Sequence, residues 1–304
     1  MTGAWVWFEP SGSAGELLPA ERAAVPVADR GFWLGDGLFE SVLVWRGALP
    51  LLSRHLARLS AGLDVLGFPP PRPAAELAER CVAVVAANGV DSGWLRLAVS
   101  RGEGPRGFAP PAAAQPLLLI QAGTAGPTGT HAGTHAGTHS GMHAGWAPWR
   151  VDPAYPGCRL KSLSGLDKVL ARREAARRGL DELLWCNTAG EVAEGAATNL
   201  FCLVDGVLHT PHPDCGLLPG VARGLVLELT AAAGMAVAES RLHPADLERA
   251  TEAFLTNAVL GIVPLLSVEG AAVGGDATAG PLTRRLQGLY QQRLDTLSAG
   301  GAVR

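Results

Sequence analysis

Residues 158–201 read CRLKSLSGLDKVLARREAARRGLDELLWCNTAGEVAEGAATNLF, and the interpretation of the whole chain turns on them. Lys161 stands between Leu160 and Ser162-Leu163. Lysine is ordinarily a solvated residue whose stem snorkels over apolar neighbours. An apolar setting instead disfavours the ammonium and exposes the amine lone pair, which imine-forming chemistry uses. On this stretch alone both readings of Lys161 are open. Leu163–Arg178 reads as a helix with a stripe of Leu163, Leu166, Val169 and Leu170. Arginines 172, 173, 177 and 178 crowd its C-terminal half, where cations suit the dipole, and Gly179 supplies the stop. Strands follow at Glu182–Cys186, Val192–Glu194 and Asn199–Val204, with Glu194 an acidic residue just before the last of them.

The chain has 304 residues, enough for two domains of ordinary size. A formal charge of −3 provides no basic field, so nucleic acid is not an expected partner. No apolar run approaches the roughly 20 residues of a membrane span, and the N-terminus lacks a charged-then-apolar signal pattern. The expectation is a cytoplasmic protein with no membrane partner. Five scattered cysteines without a C-x-x-C pair argue against a disulfide framework and against a structural zinc site.

Upstream, Trp5–Phe8 reads as an edge strand followed by a Gly/Pro/Ser loop. Leu38–Trp45 and Ala48–Leu52 are β-rich runs joined by Arg46-Gly47, a two-residue hairpin signal. Ser53 suits the N-cap of a helix, Arg54–Leu66, and a second helix fits Ala74–Ala87, closed by Asn88-Gly89. Trp94–Ser100 and Leu117–Gln121 are further strands. Between them RGEGPRG, residues 101–107, contains a G-x-G-x-x-G. A dinucleotide site needs a helix to open there, and the following FAPPAAAQP cannot supply one. Arg101 and Arg106 fit better as carboxylate ligands, because glycines let the backbone approach while a guanidinium forks onto two oxygens.

Residues 122–145 turn low-complexity, with His131, His135, His139 and His143 recurring every four residues. Glycines at the same period disfavour the helix that would align these histidines, so the stretch reads as an interdomain spacer. A non-catalytic metal-binding protein is the competing class. The expected organisation is an N-terminal α/β domain at 1–121, a linker at 122–150 and a C-terminal domain at 151–304. In the latter, Asp205-Gly206 signals a hairpin into Val207–His209. LLPGVARGLVLELTAAAG opens a helix near Pro219, whose first N–H groups suit an anion. Glu252–Asn257 and Ile262–Leu265 flank a turn at Asn257-Ala258, and a last helix spans Pro281–Leu297.

In chain order, DRGFWLGDGLFE, SRHLARL, RGEGPRG, RLKSLSGLDKVLARREA, EVAEGAATNLF, LLPGVARG and FLTNA resemble the class IV (fold type IV) pyridoxal-phosphate enzymes. That family comprises branched-chain aminotransferases, D-amino-acid aminotransferases, (R)-selective amine transaminases and aminodeoxychorismate lyases. The resemblance runs from about Val25 to the last helix, omitting the His/Gly spacer. It implies a two-domain α+β/α/β fold, with a small N-terminal α/β domain and a larger C-terminal domain built on a barrel-like sheet. It also implies pyridoxal 5′-phosphate as cofactor, a small carboxylate-bearing substrate and a homodimer.

Residue by residue, the resemblance makes Lys161 the Schiff-base lysine and Glu194 the partner of the pyridine nitrogen. A carboxylate there keeps the nitrogen protonated, so that the ring can accept electron density. Arg58 matches the arginine on the cofactor phosphate, and Val221, Ala222, Asn257 and Ala258 match the donors around it. Family threonines are absent at Ala222 and Ala258, so backbone N–H groups carry more of that work. The RGEGPRG loop is similar to that of aminodeoxychorismate lyases, where Arg106, with Arg101 or Arg96, would receive substrate carboxylates. Glu40, in LFES, belongs with the substrate residues. The tyrosine that branched-chain aminotransferases place five residues after the lysine is Leu166 here, and a common asparagine three residues after it is Ser164. The expected activity is that of a 4-amino-4-deoxychorismate lyase, forming 4-aminobenzoate and pyruvate for folate biosynthesis. The alternative is a class IV aminotransferase acting on D-amino or branched-chain amino acids.

Overall fold

Five antiparallel strands make one sheet: β1 (Trp5–Glu9), β2 (Glu16–Pro19), β3 (Gly37–Val44), β4 (Gly93–Ser100) and β5 (Leu117–Thr124). Their spatial order is β2-β1-β5-β4-β3. The computed structural model describes residues 4–124, 141–275 and 278–299, and the chain divides into two units. The first unit contains this sheet with α1 (Arg30–Leu34), α2 (Leu52–Leu66) and α3 (Ala74–Ala87). It also takes in the segment Leu160–Gly165 and residues 294–299. Alternation along β3 turns Leu38, Glu40, Val42 and Val44 inward, while Phe39, Ser41 and Leu43 are half-buried on the other face. Leu38, Val42 and Val44 join Leu52, Leu56, Leu59 and Leu63 of α2 and Leu77, Cys81 and Val84 of α3 in one apolar core.

Several expectations need correction here. β1 is an interior strand, because residues 16–19 of the expected loop form the edge strand β2 and pair with it. The Arg46-Gly47 turn is present, both residues having positive φ, but its second arm is the single bridge Trp45–Ala48. Pro50 cannot donate to a ladder, and α2 begins at Leu52. Ser53 does not cap that helix.

The second unit is organised on a nine-stranded sheet. Its elements are β6 (Met142–Val151), α4 (Leu166–Arg177), β7 (Glu182–Asn187), β8 (Val192–Gly195), β9 (Asn199–Val204), β10 (Val207–Pro211) and α5 (Val221–Ala232). They continue with β11 (Val237–Ser240), α6 (Pro244–Glu248), β12 (Glu252–Asn257), β13 (Gly261–Val268), β14 (Ala271–Ala272) and, as far as Arg293, α7 (Pro281–Ala299). The strand order is β11-β10-β9-β12-β13-β6-β7-β8, with β14 on β13. Residues 122–124 and 142–150, read from sequence as linker, are strand residues of β5 and β6. Strand β6 sends Met142, Ala144 and Trp146 into one apolar cluster, and Ala147, Trp149 and Val151 into another. His131, His135 and His139 lie outside the described residues.

Helix α4 starts at Leu166 rather than Leu163, and its leucine stripe faces outward: Leu166, Val169 and Leu170 are 68%, 63% and 39% exposed. Its buried residues are Ala171 and Ala175, which pack with Leu183 and Trp185 of β7. Small side chains let the helix backbone approach the sheet closely, and that contact outweighs the apolar stripe.

Candidate active site

The sequence-selected residues fall into two groups, one in each unit. In the first unit, the chain around Lys161 runs antiparallel beside the start of β3. Phe39 N–H donates to the Lys161 carbonyl (2.9 Å), Leu163 N–H donates to the Gly37 carbonyl (3.0 Å), and Leu38 bridges Ser162. The glycines of the GDG sequence permit this approach. A Cβ at Gly35 would lie 2.7 Å from the Ser164 Cβ, and one at Gly37 would lie 2.8 Å from a Leu163 methyl. The Lys161 Nζ is 4.5 Å from the Phe39 ring centroid, and the Arg96 guanidinium carbon is also 4.5 Å from it. Lys161 and Arg96 therefore share one aromatic ring.

On the inward face of β3, Glu40 is 1% exposed and accepts from three donors. These are His55 Nδ1 (2.7 Å), Arg58 Nε (2.8 Å) and Arg58 Nη2 (2.6 Å). Burial raises the Glu40 carboxyl, but the hydrogen bonds from His55 and Arg58 outweigh it and hold the group below the usual range. Burial pushes His55 below its ordinary value against the opposing pull of Glu40. The imidazole is thus neutral near pH 7, with its proton on Nδ1 facing the carboxylate. The sequence groups Glu40 with the substrate residues; in the structure its oxygens hold Arg58 and His55.

In the same unit, Arg30 and Arg101 converge on Asp36 Oδ2, each at 2.8 Å through Nε. Arg101 is 6% exposed, also donates to the Leu66 carbonyl (2.8 Å), and stacks over Phe68 at 4.4 Å. Its guanidinium is hydrogen-bonded inside the unit, to Asp36 and to the Leu66 carbonyl. Arg106 is exposed. Arg30, which sequence reasoning missed, donates to the carbonyls of Gly107 (3.0 Å), Phe108 (3.0 Å) and Ala109 (3.3 Å). A buried guanidinium so fixes the end of the RGEGPRG loop that carries Arg106. Its signal was the DRGF sequence, in which Asp29 caps α1 through Phe32 N–H and accepts from Ser100 Oγ (2.6 Å).

In the second unit Glu194, on β8, is 6% exposed. Its Oε2 accepts from Leu218 N–H (3.0 Å) and Asn199 Nδ2 (3.4 Å), and its Oε1 accepts from Lys168 Nζ (3.1 Å). Asn199 Nδ2 also donates to the Leu218 carbonyl (3.0 Å), tying Glu194 to the chain that enters α5. Gly220 precedes Val221, and a Cβ there would come within 2.0 Å of Asn199 Oδ1. Gly220 also offers no side-chain acceptor to the first turn of α5, which holds the buried Val221 and Ala222. Asn257 donates to the Ala197 carbonyl (2.6 Å) and accepts from Val259 N–H (2.9 Å), shaping the turn that contains Ala258. Buried Glu182 pins the 197–198 turn, accepting from Ala197 N–H and Thr198 Oγ1, both at 3.2 Å. Burial pushes its carboxyl above the ordinary value, against nearby Arg172.

Among the described residues no group of three or more His, Cys, Asp or Glu side chains could hold a metal, and no helix is long and apolar enough to cross a membrane. His143 is hydrogen-bonded through Nδ1 to Ser267 Oγ (2.7 Å).

Residues 37–268 match the family model described as amino-transferase class IV. The chain is 30% identical to the branched-chain-amino-acid aminotransferase of Escherichia coli strain K12 over 290 residues, covering 93% of this chain and 90% of that protein. It is 27% identical to a D-alanine aminotransferase of Bacillus licheniformis, covering 92% and 95% of the two chains. A crystal structure of the Escherichia coli branched-chain enzyme superposes with a TM-score of 0.85 at 30% identity, covering 95% of each chain. A Legionella pneumophila structure, described as a "putative 4-amino-4-deoxychorismate lyase", gives 0.81 at 26% identity, covering 90% and 97%.

Proposed function

Because this chain belongs to the class IV aminotransferases, with their two-domain fold type IV architecture, we propose that it transfers an amino group between an α-amino acid and a 2-oxo acid. The family's cofactor is pyridoxal 5′-phosphate, whose aldehyde joins to amines and whose ring takes up the electron pair released at the amino acid's α-carbon. The side chains present fit that group. There is a lysine in an aromatic setting, a buried carboxylate for a protonated ring nitrogen, an arginine, and a helix start without a side-chain cap for a phosphate.

In this reading Lys161 Nζ would hold the cofactor and would be the group that accepts and returns the substrate's α-proton. Glu194 keeps a proton on the ring nitrogen. By the family resemblance, Arg58 in the first unit would be a phosphate ligand, and in the second unit the N–H groups of Val221 and Ala222 and the Asn257-Ala258 turn would be phosphate donors. Glu40 and His55 orient Arg58. Arg96, beside Lys161 on the Phe39 ring, and Arg106, on the loop fixed by Arg30, are the candidate carboxylate ligands.

The observation that favours amino transfer over the lyase reading is the state of Arg101. With Arg101 committed to Asp36 and Leu66, the RGEGPRG loop itself offers one arginine, enough for a single carboxylate, whereas a dianion would have to draw a second cation, Arg96, from outside the loop. The likeness to branched-chain and D-alanine aminotransferases points the same way, toward branched-chain or D-amino acids. The second reading, aminodeoxychorismate lyase, is favoured by the glycine-rich arginine loop and by the likeness to the Legionella structure. The homodimer implied by the resemblance belongs to the same proposal, and sedimentation equilibrium tests it. A single-turnover absorbance experiment separates the activities. Leucine, valine or D-alanine should convert the bound cofactor stoichiometrically to pyridoxamine phosphate and release the 2-oxo acid. Release of 4-aminobenzoate and pyruvate from aminodeoxychorismate, with no conversion by any amino acid, would instead assign the lyase.

A further inference from the structure

The chain contains two lysines, Lys161 and Lys168; every other basic residue among its 25 Lys+Arg is arginine. Lys161 has a proposed role. Lys168 has none, yet it is the residue that meets Glu194. Its Nζ lies 3.1 Å from Glu194 Oε1 and 3.9 Å from the centroid of the Trp185 ring, with Asp167 at 4.0 Å. Trp185 is 2% exposed, so the ammonium is seated against a fixed aromatic wall while its stem reaches solvent. Leu218 N–H and Asn199 occupy the other oxygen, which leaves the carboxylate little freedom to turn away.

We propose that Lys168 is a tuning residue: it shares the Glu194 carboxylate with the cofactor's ring nitrogen, and thereby weakens that nitrogen's hold on its proton and on the site. This rests on the reading of Glu194 as the partner of the ring nitrogen. A carboxylate that already neutralises one cation attracts a second less strongly, and two cations drawn to the same oxygen pair repel each other. The cofactor is then held less tightly than a buried, undivided carboxylate would hold it, and its nitrogen is less basic.

The test measures pyridoxal-phosphate affinity by equilibrium titration of the cofactor-stripped protein, and ring-nitrogen protonation by the 15N shift of pyridine-labelled cofactor. Lys168→Met and the milder Lys168→Gln should bind about threefold to tenfold more tightly, the scale of a partly exposed ion pair, and should move the shift toward the protonated limit. Lys168→Arg, which keeps the charge, should stay near the wild-type affinity. In a Glu194→Gln background the Lys168 substitutions should lose their effect, since the shared carboxylate is gone. If Glu194→Gln weakens binding while Lys168→Met and Lys168→Gln bind no more tightly than wild type, the Lys168 proposal is overturned and the Glu194 reading survives. If Glu194→Gln changes neither affinity nor shift, the Glu194 reading fails and the proposal fails with it.

Discussion

Replacing Glu40 by glutamine tests whether the residues on the inward face of β3 act as one unit. Glu40 accepts two hydrogen bonds from Arg58 and one from His55, and the Glu40 and Arg58 side chains are 2% and 16% exposed. A glutamine keeps one acceptor oxygen but turns an NH2 group toward the Arg58 guanidinium, a donor facing donors. It also leaves Arg58 without its counter-charge in a mostly buried place. Breaking a buried pair from one side costs about 3–5 kcal/mol, and the residual exposure of Arg58 puts this case near the lower end. A loss of about 3 kcal/mol is a large share of the ~5–15 kcal/mol that a domain has in total.

The loss should appear as a lower urea midpoint at pH 7, and it should shrink in acid. The folded-state pKa of Glu40 is depressed, so its contribution is full above the ordinary carboxyl value and disappears as pH falls through the folded value. His55 is depressed as well, and the stability it confers starts to fall below about pH 6.5, where the unfolded chain gains a proton that the folded chain refuses. Cofactor affinity should fall with stability, because Arg58 loses its orientation. A Glu40→Gln protein within about 1 kcal/mol of wild type at pH 7 would refute the reasoning, since no buried pair of this geometry breaks so cheaply.

Gly37→Ala would set a Cβ 2.3 Å from the Val99 carbonyl oxygen and 2.8 Å from a Leu163 methyl; we expect a loss of about 1–3 kcal/mol in urea unfolding, with lysine-dependent cofactor uptake reduced alongside it. Arg30→Met should release the loop that carries Arg106, and limited trypsin digestion after Arg106 should speed up about tenfold, the effect of ~1.4 kcal/mol on local opening. Of the five cysteines, Cys158 is half-buried and the others are buried, with burial pushing Cys81 and Cys202 up to about 12 and Cys215 up to about 11. A thiol reagent should therefore modify Cys158 first in the native protein and all five in denaturant.

Where local chemistry dictates an element, the sequence is enough to find it. Ala74–Ala87 is helical to the residue, and Asp205, with φ of 50°, makes the turn that Asp-Gly announces. The seven motifs mark Arg58, Lys161, Glu194 and the start of α5 in order along the chain. What sequence reasoning could not supply is the partner of each group. Arg101 in RGEGPRG looks like a carboxylate ligand, but the carboxylate it holds is Asp36, 65 residues earlier. Glu40 is grouped with the substrate residues by the resemblance, and nothing in the sequence pairs it with His55 and Arg58 on the next element. The α4 stripe is a case of the wrong face: leucine periodicity predicted burial, and Ala171 and Ala175 took the sheet instead. Lys168 went unnoticed because a lysine on an arginine-rich helix reads as solvated, and only the folded chain brings β8 beneath it.

The central claim is that Lys161 is the amine that carries the cofactor. Purified protein incubated with pyridoxal 5′-phosphate, reduced with borohydride and mapped by peptide mass spectrometry tests it directly, with just two lysines to distinguish. The account predicts one reduced cofactor per chain, on the Lys161 peptide, and none in a Lys161→Ala protein. A label on Lys168, or a colourless protein that takes up no cofactor, would contradict it.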